Sequence, residues 1–351
     1  MKLFFKIIFT LLVVLLCVGV GLDFYFKSSV HKGPLSEHFD GNKFFNFYKQ
    51  SSSLNDLRKL IWQSFTDKKA WPHHLELQHK PNFSTINDNK IKLSFIGHST
   101  FVIQTRHGDL ITDPIFSKRA SPVQWAGPKR VIDPAVDMGE LPALDTVLIS
   151  HNHYDHLDEW SLKQFKDKQP LVIVGLGVKE LVKSFGLNQV EELDWGQGKL
   201  ISKDFKVWFL ENQHRSGRAI SDQMKTLWGA FAIEVDDFKI YFAGDTAYGQ
   251  GRHFQKARER FGAFDLCILP IGAYEPRFFM KKVHMNPEEA LKSHHDLGCI
   301  QSIATHFGSF QLTFEGINEP VEQLKKLIAT GHLRDGRFDV MEVGQTRVFD
   351  Y

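Results

Sequence analysis

The chain has 351 residues, of which 42% are hydrophobic and 24% charged, as in an ordinary globular protein. Its formal net charge is +2 at pH 7, which argues against a nucleic-acid-binding protein because such proteins usually carry a concentrated basic excess. Three cysteines are too few for a disulfide framework, and Cys267 and Cys299 lie among hydrophobic residues, so both are expected to be buried free thiols.

Residues 1–26 are predicted to form a membrane anchor. The apolar run Ile7–Leu22 contains no charged residue, and it is slightly shorter than the roughly 20 residues that span a bilayer. Lys6 and the aromatic residues 24–26 are placed to reach the two interfaces. A cleavable signal peptide is the alternative, but no Ala-x-Ala-like site follows the run. Lysines on both sides leave only a slight preference for the rest of the chain lying outside the cytoplasm.

Residues 27–90 are predicted to be an N-terminal extension that packs on the rest of the chain. They are polar and irregular, and they contain one amphipathic helix over Ser53–Phe65, where Leu54, Leu57 and Ile61 fall near helical spacing.

From Ile91 onwards, short β-rich runs alternate with helical stretches, which predicts one α/β domain over residues 91–351. One helix has a clear start signal, with Asn286 as N-cap and Pro287 at the first helical position. The predicted strands are Ile91–Ile96, Phe101–Thr105, Thr146–Ser150, Leu171–Val174, Val207–Leu210, Ala230–Val235, Lys239–Ala243, Leu266–Ile271 and Ser302–Thr305. The predicted helices are Val178–Phe185, Pro287–His295 and Pro320–Thr330.

One segment carries a dense set of metal-binding residue types. The apolar run Val147–Ile149 is followed within seven residues by His151, His153, Asp155 and His156. Imidazole and carboxylate groups suit Zn²⁺, and in an extended segment the first two histidines point the same way. A histidine-rich surface loop is the alternative, which the density of these residues and their position at a strand end disfavour.

Three further candidate ligands stand in equivalent settings. His214, Asp245 and His306 each follow the end of a predicted strand, where the ligand-bearing loops of layered α/β proteins gather. A single histidine after a strand is more often structural. Because these three residues come after the His-x-His-x-Asp-His loop in the order His, Asp, His, all three are candidate ligands.

This order of residues resembles that of dinuclear hydrolases of the metallo-β-lactamase fold. The resemblance implies that residues 91–351 form a catalytic domain, a four-layer αββα sandwich that binds two Zn²⁺ ions, with iron or manganese as alternatives. Asp245 would bridge the ions. The ligands implied by the motif are His151, His153 and His214 for the first ion, and Asp155, His156 and His306 for the second.

Further motifs are similar to the family of phospholipases D that hydrolyse N-acyl-phosphatidylethanolamine. The resemblance covers most of residues 91–310 and implies cleavage to N-acylethanolamine and phosphatidic acid by a hydroxide between two zinc ions. The motifs include Gly97-His98-Ser99-Thr100, Thr112-Asp113-Pro114-Ile115, Glu192-Leu193-Asp194-Trp195, Gly244-Asp245-Thr246, Pro270–Arg277 and His284–Ala290. Gly41–Phe47 faintly resembles a segment upstream of that family's catalytic body.

The resemblance also implies roles around the ions. Asp155 and His284 are the candidate catalytic residues, and Tyr154, Tyr274 and His284 the candidate substrate-binding residues. Simpler readings stay open: a solvent-facing loop position for His284 and mere packing for Tyr154. Asp113 is expected either to orient a ligand histidine or only to form a turn before Pro114.

Two other functions compete with the phospholipase hypothesis. One is a lactonase or other small-ester hydrolase on the same scaffold, and the other is a non-catalytic, membrane-tethered lipid-binding protein. A nuclease is disfavoured by the near-neutral charge. The expected partners are a membrane phospholipid as substrate and, by resemblance only, a second copy of the chain in a homodimer; no nucleic acid is expected.

Overall fold

The computed structural model describes residues 19–23, 25–48, 53–86 and 88–350. The predicted anchor over residues 1–26 therefore falls mostly outside the described residues. Across the described ranges, no helix combines the length and the apolar character needed to cross a membrane.

Two seven-stranded sheets form the centre of the domain. The first contains β1 (Lys90–Gly97), β2 (Thr100–Thr105), β3 (Gly108–Thr112), β4 (Thr146–Leu148), β5 (Leu171–Gly175), β6 (Val190–Leu193) and β14 (Thr346–Asp350). The second contains β7 (Gly198–Ser202), β8 (Phe205–Leu210), β9 (Ala230–Val235), β10 (Phe238–Phe242), β11 (Leu266–Pro270), β12 (Gln301–Thr305) and β13 (Arg337–Asp339). The spatial orders are β14-β1-β2-β3-β4-β5-β6 and β13-β12-β11-β10-β9-β8-β7. Strands β3 to β6 run parallel to one another, and so do β10 to β13, which aligns the carboxyl ends within each set.

The helices in the described ranges are α1 (Leu54–Thr66), α2 (Glu159–Lys163), α3 (Lys179–Ser184), α4 (Arg252–Phe261), α5 (Arg277–Met280), α6 (Pro287–Leu297) and α7 (Glu319–Ala329), with a short 3₁₀ helix at Met138–Glu140. Five helices pack on the outer faces of the sheets, α2 and α3 on the first and α4, α6 and α7 on the second, whereas α1 contacts α5 at the surface. One apolar cluster fills the space between the sheets. A second joins the first sheet to α2 and α3 through Leu162 and Val182, and a third joins the other sheet to α4, α6 and α7. The predicted layered α/β architecture is thus confirmed.

The described part of the N-terminal extension contacts the body at several points. Phe39 and Phe44 are fully buried in the cluster between the sheets. Further along, the Trp71 indole N–H donates to the Glu315 carbonyl oxygen. The extension thus contributes to the main core as well as to the surface.

The expectation of free thiols at Cys267 and Cys299 is wrong. The two residues form a disulfide, with Cα atoms 6.0 Å apart. Cys267 lies in β11 and Cys299 follows the C-terminal end of α6, so the bond ties the helix to the sheet that it covers. Apolar neighbours predict burial, but they do not distinguish a thiol from a disulfide.

Candidate metal centre

The first group of converging side chains contains His151, His153, His214 and Asp245. They follow β4, β8 and β10, so both sheets contribute to the group. One ligand atom from each lies within 4.8 Å of all the others. His153 Nδ1 is 2.8 Å from His151 Nε2 and 3.3 Å from His214 Nε2.

The second group contains Asp155, His156, His306 and one residue that the ligand prediction omitted, His98. Asp155 Oδ2 lies 3.3 Å from both His156 Nε2 and His306 Nε2. The same oxygen lies 3.1 Å from His98 Nε2. All four side chains are buried.

Asp245 links the two groups through its two carboxylate oxygens. Oδ2 lies 3.8 Å from His151 Nε2 and 3.7 Å from His214 Nε2, both in the first group. The carboxylate also reaches the second group, with 3.1 Å from Oδ2 to His156 Nε2 and 3.1 Å from Oδ1 to His306 Nε2. This is the position that a bridging ligand occupies.

The donor set fits two divalent ions. Each neutral imidazole has a single N–H, so ring nitrogens that face one another at these distances cannot all be satisfied by hydrogen bonds. Accordingly, His156 Nε2 and Asp245 Oδ1 are buried without a hydrogen-bond partner among the described residues. Imidazole nitrogen and carboxylate oxygen are the ligands that zinc, and with it iron and manganese, takes in proteins.

Hydrogen bonds behind the ligands fix the orientation of three rings. His156 Nδ1 is 2.7 Å from Asp113 Oδ2, so the expected orienting role of Asp113 is matched by a direct contact. The Ser150 hydroxyl donates to that carboxylate at 2.6 Å and lies 3.0 Å from His151 Nδ1. His214 Nδ1 donates to the Val283 carbonyl oxygen at 2.8 Å. Such contacts direct the opposite ring nitrogen towards a metal.

Comparison with known proteins identifies the family. Residues 109–307, more than half of the chain, match the β-lactamase superfamily domain. The chain belongs to the β-lactamase superfamily. It is a metal-dependent hydrolase of that fold.

Two relatives within the superfamily resemble this chain over most of its length. A Caenorhabditis elegans protein named N-acyl-phosphatidylethanolamine-hydrolyzing phospholipase D 1 is 33% identical over 341 residues, which is 92% of this chain and 95% of the worm protein. A mitochondrial Saccharomyces cerevisiae protein named for the same reaction is 37% identical over 69% of this chain and 52% of its own length. Among solved structures, the isothiocyanate hydrolase from Delia radicum gut bacteria has a TM-score of 0.59 at 21% identity, over 74% of this chain and 100% of that one. This last likeness concerns the fold alone.

The predicted ligand histidines fall into two sets with different protonation states. Burial and neighbouring histidines hold the pKa of His151 and His153 well below the usual value, and burial lowers the pKa of His214 to about 4. Burial also lowers the pKa of His306, but Asp245 and Asp155 outweigh it and raise that pKa to about 9. The pKa of His156 is raised well above the usual value by the same balance of burial against carboxylates. Without metal, His156 and His306 are therefore protonated, whereas His151, His153 and His214 are neutral.

The remaining predicted residues lie around the centre to different extents. His284 is buried, with Nε2 4.0 Å from Asp245 Oδ2 and Nδ1 without a hydrogen-bond partner among the described residues, so the solvent-facing alternative is wrong. Tyr154 is half-buried, and the guanidinium of Arg218 lies 3.8 Å from its ring centre. Tyr274 is fully buried in the connection between β11 and α5.

Sequence reasoning missed two residues that touch the ligands. His98 stands in the turn between β1 and β2 with φ +57°, a conformation in which its ring reaches Asp155. Asn46, in the extension, donates from its side-chain amide to the His214 carbonyl oxygen at 2.7 Å and accepts from the His214 amide at 3.2 Å. The motif around residues 97–100 and the faint resemblance over residues 41–47 were the available signals.

Proposed function

We propose that the protein is a phospholipase D-type phosphodiesterase that hydrolyses N-acyl-phosphatidylethanolamine to N-acylethanolamine and phosphatidic acid. The observation that carries the proposal is the pair of adjacent ligand groups joined by Asp245, because two ions a few ångströms apart suit phosphodiester hydrolysis. The worm relative of nearly equal length is named for this reaction and supports the same substrate.

The residues that would hold the ions are the seven predicted ligands. When bound, two divalent ions would lower the pKa of a water molecule and stabilise negative charge on the phosphate. Water adds to phosphorus, the bond from phosphorus to the ethanolamine oxygen breaks, and that oxygen takes a proton. Zinc is the proposed metal because the set is rich in imidazole. The ligands are His151, His153, Asp155, His156, His214, Asp245 and His306.

The proposed role of Asp155 is both ligation and orientation of the attacking water. Its Oδ2 is surrounded by ring nitrogens of His98, His156 and His306. Burial raises the pKa of the carboxyl, but these histidines outweigh it and hold that pKa well below its usual range. The group is therefore an anion across the physiological pH range and accepts hydrogen bonds from water.

The proposed role of His284 is contact with the substrate phosphate or the leaving oxygen. Burial holds the pKa of His284 well below the usual value, so its imidazole is neutral and keeps one N–H. Since Nδ1 has no partner among the described residues, that nitrogen is free to bond a phosphate oxygen. The other ring nitrogen, Nε2, lies 4.0 Å from Asp245 Oδ2, so the imidazole stands beside the proposed ions. The proposed substrate contacts of Tyr154 and Tyr274 belong to the same hypothesis.

The test is hydrolysis of N-acyl-phosphatidylethanolamine in mixed micelles, followed by mass spectrometry after metal has been counted. We expect the wild type to bind two metals per chain and to release N-acylethanolamine. His153→Ala should bind fewer than two metals and release none. His295→Ala, on the outer helix α6, is the matched control and should keep both metals and the release. Two metals without lipid turnover, together with hydrolysis of lactones, would replace the phospholipase with a lactonase on the same centre.

We also propose that the protein is anchored by residues 1–26 with its catalytic domain outside the cytoplasm. The disulfide between Cys267 and Cys299 supports an oxidising compartment, since such bonds are rare in cytosolic proteins. Alkylation of protein taken directly from cells tests this. Cys267 and Cys299 are expected to stay unmodified until the protein is reduced, and alkylation of both without reduction would contradict the proposal.

A further inference from the structure

Helix α1 presents its apolar residues to solvent. None of its 13 residues is buried. Leu54 is 77% exposed, Trp62 70% and Phe65 84%, and Leu57 and Ile61 are also exposed. These five residues, which we call the α1 apolar face, recur at spacings of three, four, one and three and so lie on one side of the helix.

The polar side of α1 faces the protein. The Asp56 carboxylate accepts a hydrogen bond from Lys282 Nζ at 3.2 Å, and Lys59 Nζ lies 4.4 Å from the centre of the Phe278 ring. Gln63, between them on the helical surface, has a buried side-chain oxygen. A surface helix of a globular protein normally turns its apolar stripe towards the core. Here the arrangement is reversed, so the apolar stripe is left exposed by the residues that the structure describes.

We propose that the α1 apolar face docks on the surface of a phospholipid bilayer, and that this docking brings the metal centre to a lipid substrate. The proposal rests on the proposed function. It commits to one occupant, a membrane containing anionic phospholipid.

The composition of the face favours lipid over a protein partner. Arg58 lies between Trp62 and Phe65 on the helical surface, in the middle of the apolar stripe. The centre of a protein interface is depleted of charge, because a buried unpaired cation is costly. At a bilayer, by contrast, a long arginine side chain reaches up to the headgroup phosphates while its neighbours enter the acyl region.

The charge around the helix is complementary to an anionic membrane. Between Leu54 and Lys69 the chain has four cations and two anions, and one of the cations, Lys69, pairs with Glu319. Lys281, which directly follows α5, adds an exposed cation beside them. Basic residues near an anionic surface strengthen binding, and tryptophan is enriched at the level of the headgroups.

The location of α1 connects the docking face to the metal centre. Lys282, which holds Asp56, is followed by Val283, whose carbonyl oxygen accepts from the ligand His214, and by His284. Tyr25 and Phe26 line a cavity of about 530 Å³ together with Tyr154 of the ligand loop. The chain that follows the apolar run 7–22 thus also reaches the neighbourhood of the site.

The experiment measures whether Trp62 enters lipid in the full chain. Vesicles of phosphatidylcholine and phosphatidylglycerol, with and without bromine on the acyl chains, are mixed with the wild type and with Trp62→Phe. Bromine quenches tryptophan only at close range, so anchoring by another segment does not imitate the signal. We expect brominated lipid to quench an emission component that Trp62→Phe lacks. Equal quenching of both proteins would overturn the proposal.

A second measurement compares two kinds of substrate. Replacing Ile61 and Phe65 together by Asp should lower kcat/KM on N-acyl-phosphatidylethanolamine in vesicles by about tenfold or more, because two large apolar side chains no longer enter lipid. Hydrolysis of a water-soluble phosphodiester should be unchanged. Leu200→Asp, an exposed apolar residue on the edge strand β7, is the control and should alter neither rate.

The outcomes separate this proposal from the proposed function. Quenching through Trp62 without any lipid turnover by the wild type would leave the docking intact and refute the phospholipase. If the Ile61 and Phe65 double variant instead converts a dimer to a monomer in sedimentation and keeps full activity on vesicles, the face belongs to a second copy of the chain and the docking proposal fails.

Discussion

Asp113→Asn tests how the ligand shell is held. The carboxylate is completely buried, lies 2.7 Å from His156 Nδ1 and accepts from the Ser150 amide at 2.7 Å and the Ser150 hydroxyl at 2.6 Å. An amide has only one acceptor oxygen, so it cannot serve all three contacts, and an NH₂ group facing His156 opposes the N–H there. Loss of such a contact typically weakens metal binding by about 10- to 100-fold, or about 1.4 to 2.7 kcal/mol.

The assay is competition with a chelator of known affinity, with metal counted at each step. We expect the affinity for the ion held by His156 to decrease within that range. The affinity for the ion held by His151 should decrease less, because Ser150 lies between the His151 ring and Asp113. Asp158→Asn is the matched control, since Asp158 is buried but contacts Ser117 and Ser161 rather than a ligand. Unchanged affinities in Asp113→Asn, or an equal loss in Asp158→Asn, would refute the reasoning.

Three further predictions follow from the same geometry. Metal binding at pH 7.5 should release about two protons per chain from His306, with a pKa of about 9, and His156, in addition to the proton lost by metal-bound water. Calorimetry in buffers of different ionisation enthalpy measures this, and no release would contradict it. His98→Asn should lower kcat on a water-soluble phosphodiester by about tenfold with little change in KM, because Asp155 loses a support 3.1 Å away; an effect on KM alone would contradict it. Burial lowers the pKa of His253 to about 3, so below pH 6.5 the unfolded chain binds more protons than the folded one, and stability decreases as the pH is lowered. Between pH 7 and pH 5, the free energy of unfolding measured in urea should decrease by about 2 kcal/mol less in His253→Gln than in the wild type. Equal decreases would contradict this.

Elements with strong local signals could be predicted from the sequence. The apolar runs of β11 and β12 and the Asn286 and Pro287 start of α6 all stand where the pattern indicates. By contrast, β3, β6, β7, β13 and β14 were not predicted, and β7 and β13 illustrate the reason. β7 is a largely exposed edge strand, and β13 has only three residues, so neither shows the continuous apolar run of a buried strand.

The candidate site could be predicted because its ligands follow strand ends in a recognisable order. His98 could not, because its role depends on a left-handed turn that points one ring at Asp155. Asn46 could not, because its contact with His214 joins residues 168 positions apart. Such long-range contacts leave no periodic trace in the chain.

The side on which helix α1 packs could not be predicted from the sequence either. Its bounds follow from Ser53, which caps the helix, and from Asp56, which completes the capping box. The amphipathic pattern alone predicts a face that packs on the core. The contacts of Asp56 and Lys59 with residues around α5 reveal that the polar side is the packed one.

Two ions held on either side of Asp245 are proposed to act together in hydrolysing a lipid phosphodiester. The most direct measurement adds Zn²⁺ stepwise to metal-free protein and follows release of N-acylethanolamine from N-acyl-phosphatidylethanolamine. The rate should reach its maximum at two equivalents of Zn²⁺ per chain. A maximum at one equivalent, or no release at two, would contradict it.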